Sequence, residues 1–216
     1  MVSPIVSEIN AAYGKLMLSS PYSEELRKHI NPICFKNYET AQKVYNPSVE
    51  KECQEESALV TEYSKFMSEL SVEWKGESKP LSFVRGFLED KDRTTRKEAI
   101  EAIGRALEKN SDTLDTIYDK LVKIRTVIAQ KLGYKDYVEL GYYRMNRIDY
   151  NREMVEKFRN NVKTDLVPIV SEIKNKIMKE FNFDKLYFYD NDVYIAEGNP
   201  RPFDNAEGIF KNALEM

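Results

Sequence analysis

Between Asn46-Pro47 and Leu70, the residues Val49, Cys53, Val60, Tyr63, Met67 and Leu70 follow one another in steps of four and three, and Glu56 takes the one place in the series where an apolar side chain is expected. That period draws a single stripe along an α-helix and cannot serve a strand, whose faces alternate every second residue. A helix this long hides its stripe only against other helices, so the pattern commits the chain to a helical architecture. The same period recurs elsewhere. Ser3-Pro4 offers a capping residue with proline at the first helical position, and Ile5, Ile9 and Tyr13 then share a face as far as about Ser19. Leu114, Ile117, Leu121, Ile128 and Leu132 mark another helix, and Val155, Phe158, Val162, Leu166, Ile169, Ile173 and Ile177 a further one from Asn151. Pro168 lies inside that last stripe, where its ring meets the Thr164 carbonyl one turn earlier, and predicts a kinked helix.

Breaks and caps divide the remainder. Pro21 to Glu24 restarts a helix that Asn31-Pro32 interrupts, because the residue before proline resists the helical region. Ser71-Val72-Glu73-Trp74 alternates with period two, Lys75 to Ser78 supplies turn residues, and Lys79 to Ser82 can run back, which predicts one hairpin over about 71–82. A short helix near Phe83 to Leu88 follows. Asp92 then caps a helix carrying Ala99, Ile103, Ala106 and Leu107, which breaks at Asn110-Ser111, and Gly133 sits where a helix ends in a left-handed residue. Lys185 to Tyr189 and Val193 to Ile195 read as strands or extended segments, Gly198 to Pro202 as loop, and Asp204 as the cap of a last helix still running at Met216. The fold class expected is mainly α: a multi-helix array with one short β-hairpin and a small extended segment near the C-terminus. Ile209, Phe210, Leu214 and Met216 call for a partner surface, so the chain is expected to be cut at that end.

Composition excludes several functions. In 216 residues, 42% hydrophobic and 32% charged, a real core can form. Thirty-three Lys and Arg face 36 Asp and Glu, and a net charge of -3 pulls the chain onto neither nucleic acid nor anionic lipid. The longest apolar run, Leu166 to Val170, is far below the ~20 residues a membrane helix needs. Cys34 and Cys53 are too few for a disulfide framework and suit a reducing cytoplasm.

Chemical motifs are mostly missing. The eight glycines come no closer than Gly133 and Gly141, which rules out a phosphate-cradling loop and a dinucleotide fingerprint. With His29 as the one histidine, the chain cannot build a two-histidine zinc site, and the spacing of His29 and Cys34 across a break gives no facing dyad. Asp190-Asn191-Asp192 opens like a calcium loop, but Tyr194 and Ala196 replace an oxygen ligand and the required glycine. Glu56, in its apolar seam, requires a donor; Arg125, between Leu121 and Ile128, is the partner expected. The densest feature is Gly133 to Tyr150, with five tyrosines and two arginines. Such a segment can line a peptide groove, with Tyr143, Arg144 and Arg147 as the substrate-binding candidates, or it can be a polar-rimmed packing corner.

At this segment the order of motifs resembles a known family. Leu114 to Arg125, Ala129-Gln130-Lys131-Leu132-Gly133-Tyr134, Tyr137 to Tyr142, Arg144-Met145-Asn146-Arg147, Asp149-Tyr150, Val167-Pro168-Ile169, Tyr189-Asp190 and Gly198-Asn199-Pro200 resemble the oligoendopeptidase F family of thimet-oligopeptidase-like zinc metallopeptidases. Gln54-Glu55-Glu56, Asp92-Arg93 and Arg96 to Ala99 are similar to that family's amino-terminal region. The resemblance implies residues 1–110 as an amino-terminal helical domain and 111–216 as the start of a catalytic domain, truncated. It also implies a cytoplasmic zinc endopeptidase acting on short peptides, whose H-E-x-x-H helix lies beyond this chain. No catalytic or metal residue is therefore expected here, nor any cofactor in this chain, with zinc belonging to the intact family member. The missing catalytic half is the expected partner, and the chain alone is expected to be inactive. The different-class alternative is a self-standing helical interaction module.

Overall fold

Asparagine and aspartate side chains start five of the helices. A computed structural model describes residues 3–200 and 206–215; the expected loop residues Arg201 and Pro202, the Asp204 cap, the helix end at Met216 and the side chains of Ser3 and Pro4 lie outside the described residues. The elements are α1 (Ser3–Ser19), α2 (Ser23–His29), α3 (Pro32–Val44), α4 (Glu50–Glu69), β1 (Ser71–Trp74), β2 (Glu77–Pro80), α5 (Leu81–Arg85), α6 (Arg93–Lys109), α7 (Ser111–Lys131), α8 (Tyr137–Arg144), α9 (Arg152–Asn161), α10 (Val167–Glu180) and α11 (Ala206–Glu215). The mainly helical class with a single short hairpin is thus the observed one. Asn31 Oδ1 accepts from the Ile33 N–H at 3.0 Å at the head of α3, and Asn46 Oδ1 from the Ser48 N–H at 2.9 Å in the 3₁₀ turn that leads into α4. Asp92, Asp136 and Asn151 do the same for α6, α8 and α9.

The chain packs as two compact units, each made of two stretches: 1–69 with 110–164, and 70–109 with 165–216. In the first, α1 lies on α3 and α4 on α7, while α8 touches α3 and α7. Tyr45, Val49, Leu59, Ile124, Ile128, Ala129 and Leu140 form its core, with Cys53, Leu121 and Leu132 packed against them. The α4 stripe is buried at Val49, Glu56 and Leu70, whereas Val60 and Tyr63 on the same stripe remain exposed. Gly133 (φ 86°) ends α7 in the left-handed conformation, so the Tyr134 N–H reaches back to the Ala129 carbonyl at 2.9 Å. α8 can then begin at once beside its neighbours.

In the second unit Val72 and Trp74 point inward from β1 beneath Leu81, Val84, Ala99 and Ile103. The turn is Lys75-Gly76, both with positive φ, as a tight hairpin requires. The return strand stops at Pro80 rather than Ser82, because Leu81 enters α5. A 3₁₀ turn, Gly86–Glu89, continues α5, and its Phe87 ring lies 5.0 Å from that of Trp74. Of the two segments read as strands or extended chain, 193–195 stays irregular without strand pairing, and 185–189 likewise pairs with no strand and closes in a 3₁₀ turn at Phe188–Asp190. The physical reason is α6. Arg96, 1% exposed, donates to the carbonyl of Tyr189 at 2.9 Å and to those of Asp90 and Lys91, and Arg93 to the Lys185 carbonyl at 2.7 Å. Guanidinium groups therefore take the acceptors that a neighbouring strand would have used.

The proline in the long apolar stripe is accommodated by a wider turn. Val162–Leu166 adopts π-helical spacing between α9 and α10, and Thr164 Oγ1 donates to the Asn160 and Asn161 carbonyls at 3.1 and 3.3 Å. The stripe has the expected period, but Phe158, Leu166, Ile169 and Ile173 are exposed, as are Ile209, Phe210 and Leu214 of α11.

Asp190 holds the second unit's loop. Both of its oxygens accept from Arg93, Oδ1 also from Arg96 at 2.9 Å and Oδ2 from the Tyr187 N–H at 2.9 Å. Burial alone pushes its carboxyl up, yet the hydrogen bonds from Arg93, the Tyr187 backbone and Arg96 outweigh it and hold the group below the ordinary carboxylate value. A depressed folded-state pKa gives stability that is present above the unfolded value, near pH ~4, and lost as pH falls through the folded one. Trp74, the one tryptophan, reports this unit. Asp190→Asn is expected to cost about 3 kcal/mol in urea unfolding followed by Trp74 fluorescence at pH 7. It is also expected to flatten the loss of stability below pH 4; an unchanged midpoint and acid limb would refute this role.

Candidate functional site

Three helices of the first unit meet at one carboxylate. Glu56 comes from the middle of α4, Arg125 from α7 one turn after Leu121, and Arg144 is the last residue of α8, presented there because Asp136 caps that helix close to the end of α7. Glu56 Oε1 accepts from Arg125 Nε at 2.7 Å and Oε2 from Arg144 Nη2 at 2.7 Å. The Glu56 side chain is 8% exposed, against 37% for Arg125 and 27% for Arg144. The expected pair is therefore present and has a second arginine that spacing did not single out. A signal existed: Arg144 lies in the Tyr/Arg segment already marked for its chemistry. Arg144 Nη1 also donates to the Tyr137 hydroxyl at 3.1 Å. Burial lowers the Arg144 pKa, but the bond and charge of Glu56 more than compensate, so the guanidinium is held above its ordinary value and stays charged.

Beside this cluster a cavity of about 380 Å³ opens among α1, α3, α4 and the end of α8, lined by Asn37, Ala41, Val44, Glu56, Ser57 and Arg144 among others. Cys53 also borders it; burial pushes its thiol pKa up, with Arg144 opposing and Glu56 and Glu52 adding to the rise, so the sulfur is a neutral wall. A second cavity, of about 390 Å³, lies on the other side of the same segment and is lined by Lys135, Glu139, Tyr142, Arg147, Tyr150 and Arg152 among others. The Arg147 guanidinium carbon stands 4.9 Å from the Tyr142 ring centre and 5.8 Å from that of Tyr150. The three candidates thus do not converge. Arg144 lines the first cavity and Arg147 the second, while Tyr143 lines both and carries Lys43 over its ring at 4.5 Å.

Among the described residues, no group of three or more His, Cys, Asp or Glu side chains could hold a metal ion, and His29 is exposed. These side chains do not fit a zinc site; what they offer is charged and aromatic binding chemistry. Asp190 of the calcium-like triplet is occupied by Arg93 and Arg96.

Comparison with known proteins places this arrangement. A sequence model of Peptidase family M3 matches residues 87–207, more than half of the chain. The chain belongs to Peptidase family M3. Among solved structures it is similar to PZ peptidase A in a complex with an inhibitor, at 37% identity and a TM-score of 0.93, covering 100% of this chain and 38% of that one. It is also similar to a Bacillus anthracis (strain Ames) protein assigned as oligoendopeptidase F, at 36% identity and a TM-score of 0.90, covering 99% of this chain and 39% of that one. The chain therefore spans less than two-fifths of the length of these relatives. Comparison with curated proteins gives no match.

Removing the shared carboxylate leaves two guanidinium groups facing each other beside an apolar core. Glu56→Ala is expected to lower stability by about 3 kcal/mol in chemical denaturation. Arg125→Ala, which removes the more exposed of the two arginines and leaves Glu56 with Arg144, is expected to cost about 1 kcal/mol. Equal, sub-half-kilocalorie losses for both would remove Glu56 from its place as the junction.

Proposed function

We propose that these residues serve as the amino-terminal helical part of a cytoplasmic zinc oligopeptidase that hydrolyses short peptides, with zinc ligands and catalytic groups supplied by other polypeptide. The observation that carries this is the full-length likeness to M3 peptidase structures at 35–37% identity, each of which extends well beyond it. Residues 1–110 are the amino-terminal helical domain in this reading, and 111–216 begin the catalytic domain. The exposed apolar residues of α10 and α11 give a surface on which the catalytic half packs. Tyr143, Arg144 and Arg147 contact peptide: the tyrosine supplies apolar area and a hydroxyl, and the arginines grip carbonyl or carboxylate oxygens.

Two measurements test it. Purified 216-residue protein, incubated with internally quenched peptides and micromolar zinc, is expected to show no hydrolysis; chelator-sensitive cleavage would overturn the assignment. In a longer polypeptide that also carries the remainder of the M3 fold, alanine at Tyr143 or Arg147 is expected to lower kcat/KM by about tenfold with little change in Tm. A parallel fall of Tm and activity would make them packing residues.

A further inference from the structure

We propose that the cavity beside Arg144 is a carboxylate pocket that takes the free C-terminal residue of a short peptide. This rests on the reading of Tyr143 and Arg144 as peptide contacts and specifies what they bind.

The charge balance at the cavity is the first support. Among the described residues Glu56 is the one carboxylate lining it, and both its oxygens are already taken, by Arg125 and Arg144. Two guanidinium groups against one carboxylate leave that three-residue cluster with a surplus positive charge, while Glu8 and Glu50 stand near Tyr45 on another wall. Lys43 adds another cation over the Tyr143 ring; Glu139, 3.4 Å from the Tyr143 hydroxyl, is the acidic group on that side. Glu52 is likewise answered by Lys131, at 2.7 Å. A surplus charge in a half-buried site favours an anion over water alone.

Donor geometry is the second support. A guanidinium has five N–H donors, and Arg144 spends one on Glu56 and one on the Tyr137 hydroxyl, which leaves three without a protein acceptor among the described residues. Those two bonds also fix the plane of the group, so the guanidinium that lines the cavity is held in place rather than floppy. Lysine could not substitute for it.

The walls decide which anion. Ala41, Val44 and Val60 offer apolar surface for a side chain, while Asn10 and Asn37 offer amides for a backbone N–H or carbonyl. Cys53 is held neutral and adds no opposing charge. A volume of about 380 Å³ suits one or two residues and no folded partner. A bare phosphate or sulfate would use the arginine and leave the apolar wall unfilled.

The test is a titration of the isotope-labelled chain by NMR with acetyl-Ala-Ala as the free acid, acetyl-Ala-Ala-amide, and sodium sulfate. The free acid is expected to shift the resonances around Arg144, Ala41 and Ser57 saturably, and the amide and sulfate to bind at least about tenfold more weakly, since a charge-assisted bond is lost in one and the wall contact in the other. Arg144→Met should abolish the response, but it also strips Glu56 of a partner and can unfold the unit. Ser57→Phe, which fills the cavity and leaves the three charged side chains in place, is therefore the second variant and is expected to abolish binding at unchanged stability. Equal binding of acid and amide, tighter sulfate than acid, retained binding in Ser57→Phe, or no saturable shift at 10 mM acid, about the weakest end of useful affinity, would each overturn the pocket. No hydrolysis is measured, so the result bears on the pocket alone and not on the peptidase assignment.

Discussion

A single buried carboxylate organises the first unit. Glu56 must be desolvated because α4 presents it on the same face as Val49 and Leu59, and a lone ion there would cost several kcal/mol. Its two oxygens point at different helices, so meeting that cost ties α4 to α7 through Arg125 and to α8 through Arg144. An apolar residue at position 56 would pack with less desolvation, yet it would not fix the rotation of α8 about its own axis. That rotation places Tyr143 between two cavities and turns Arg144 toward one of them. The same guanidinium thus ties α8 to α4 and lines the first cavity.

The second unit uses the same device with the stoichiometry repeated and the consequence changed. Arg93 and Arg96 converge on Asp190, but here the arginines also take backbone carbonyls and replace the hydrogen bonds of a sheet edge. Arg93 further lies 3.8 Å above the Phe183 ring. A loop held by charged groups in this way needs no regular structure, which is why residues rich in β-formers do not become a strand.

How much was legible in the sequence follows from the range of each interaction. Helices bounded by Asn31-Pro32, Asn46-Pro47, Asp92 and Gly133 were readable because caps and prolines act within a few residues. Glu56 announced itself as an ion in an apolar seam, and Arg125 could be matched with it because both break a stripe. Arg144 as a second partner was hidden, since it stands 88 positions away on a helix whose orientation no local rule supplies. The segment 185–189, read as strand or extended chain, is the reverse case: local propensity was right in kind, and two arginines from α6 take the Lys185 and Tyr189 carbonyls and leave it unpaired. Family membership came from the order of many short motifs, whereas the separation of Tyr143, Arg144 and Arg147 between two cavities needed the fold.

The claim that one carboxylate couples the helices is tested most directly by a double-mutant cycle at Glu56 and Arg144, using Glu56→Gln and Arg144→Met and chemical denaturation at neutral pH. Contacting charged groups couple by roughly 0.5–3 kcal/mol, and a half-buried pair at 2.7 Å is expected near the upper end, about 2 kcal/mol. Losses that simply add, within about 0.5 kcal/mol, would show that the two side chains act independently and would contradict the account.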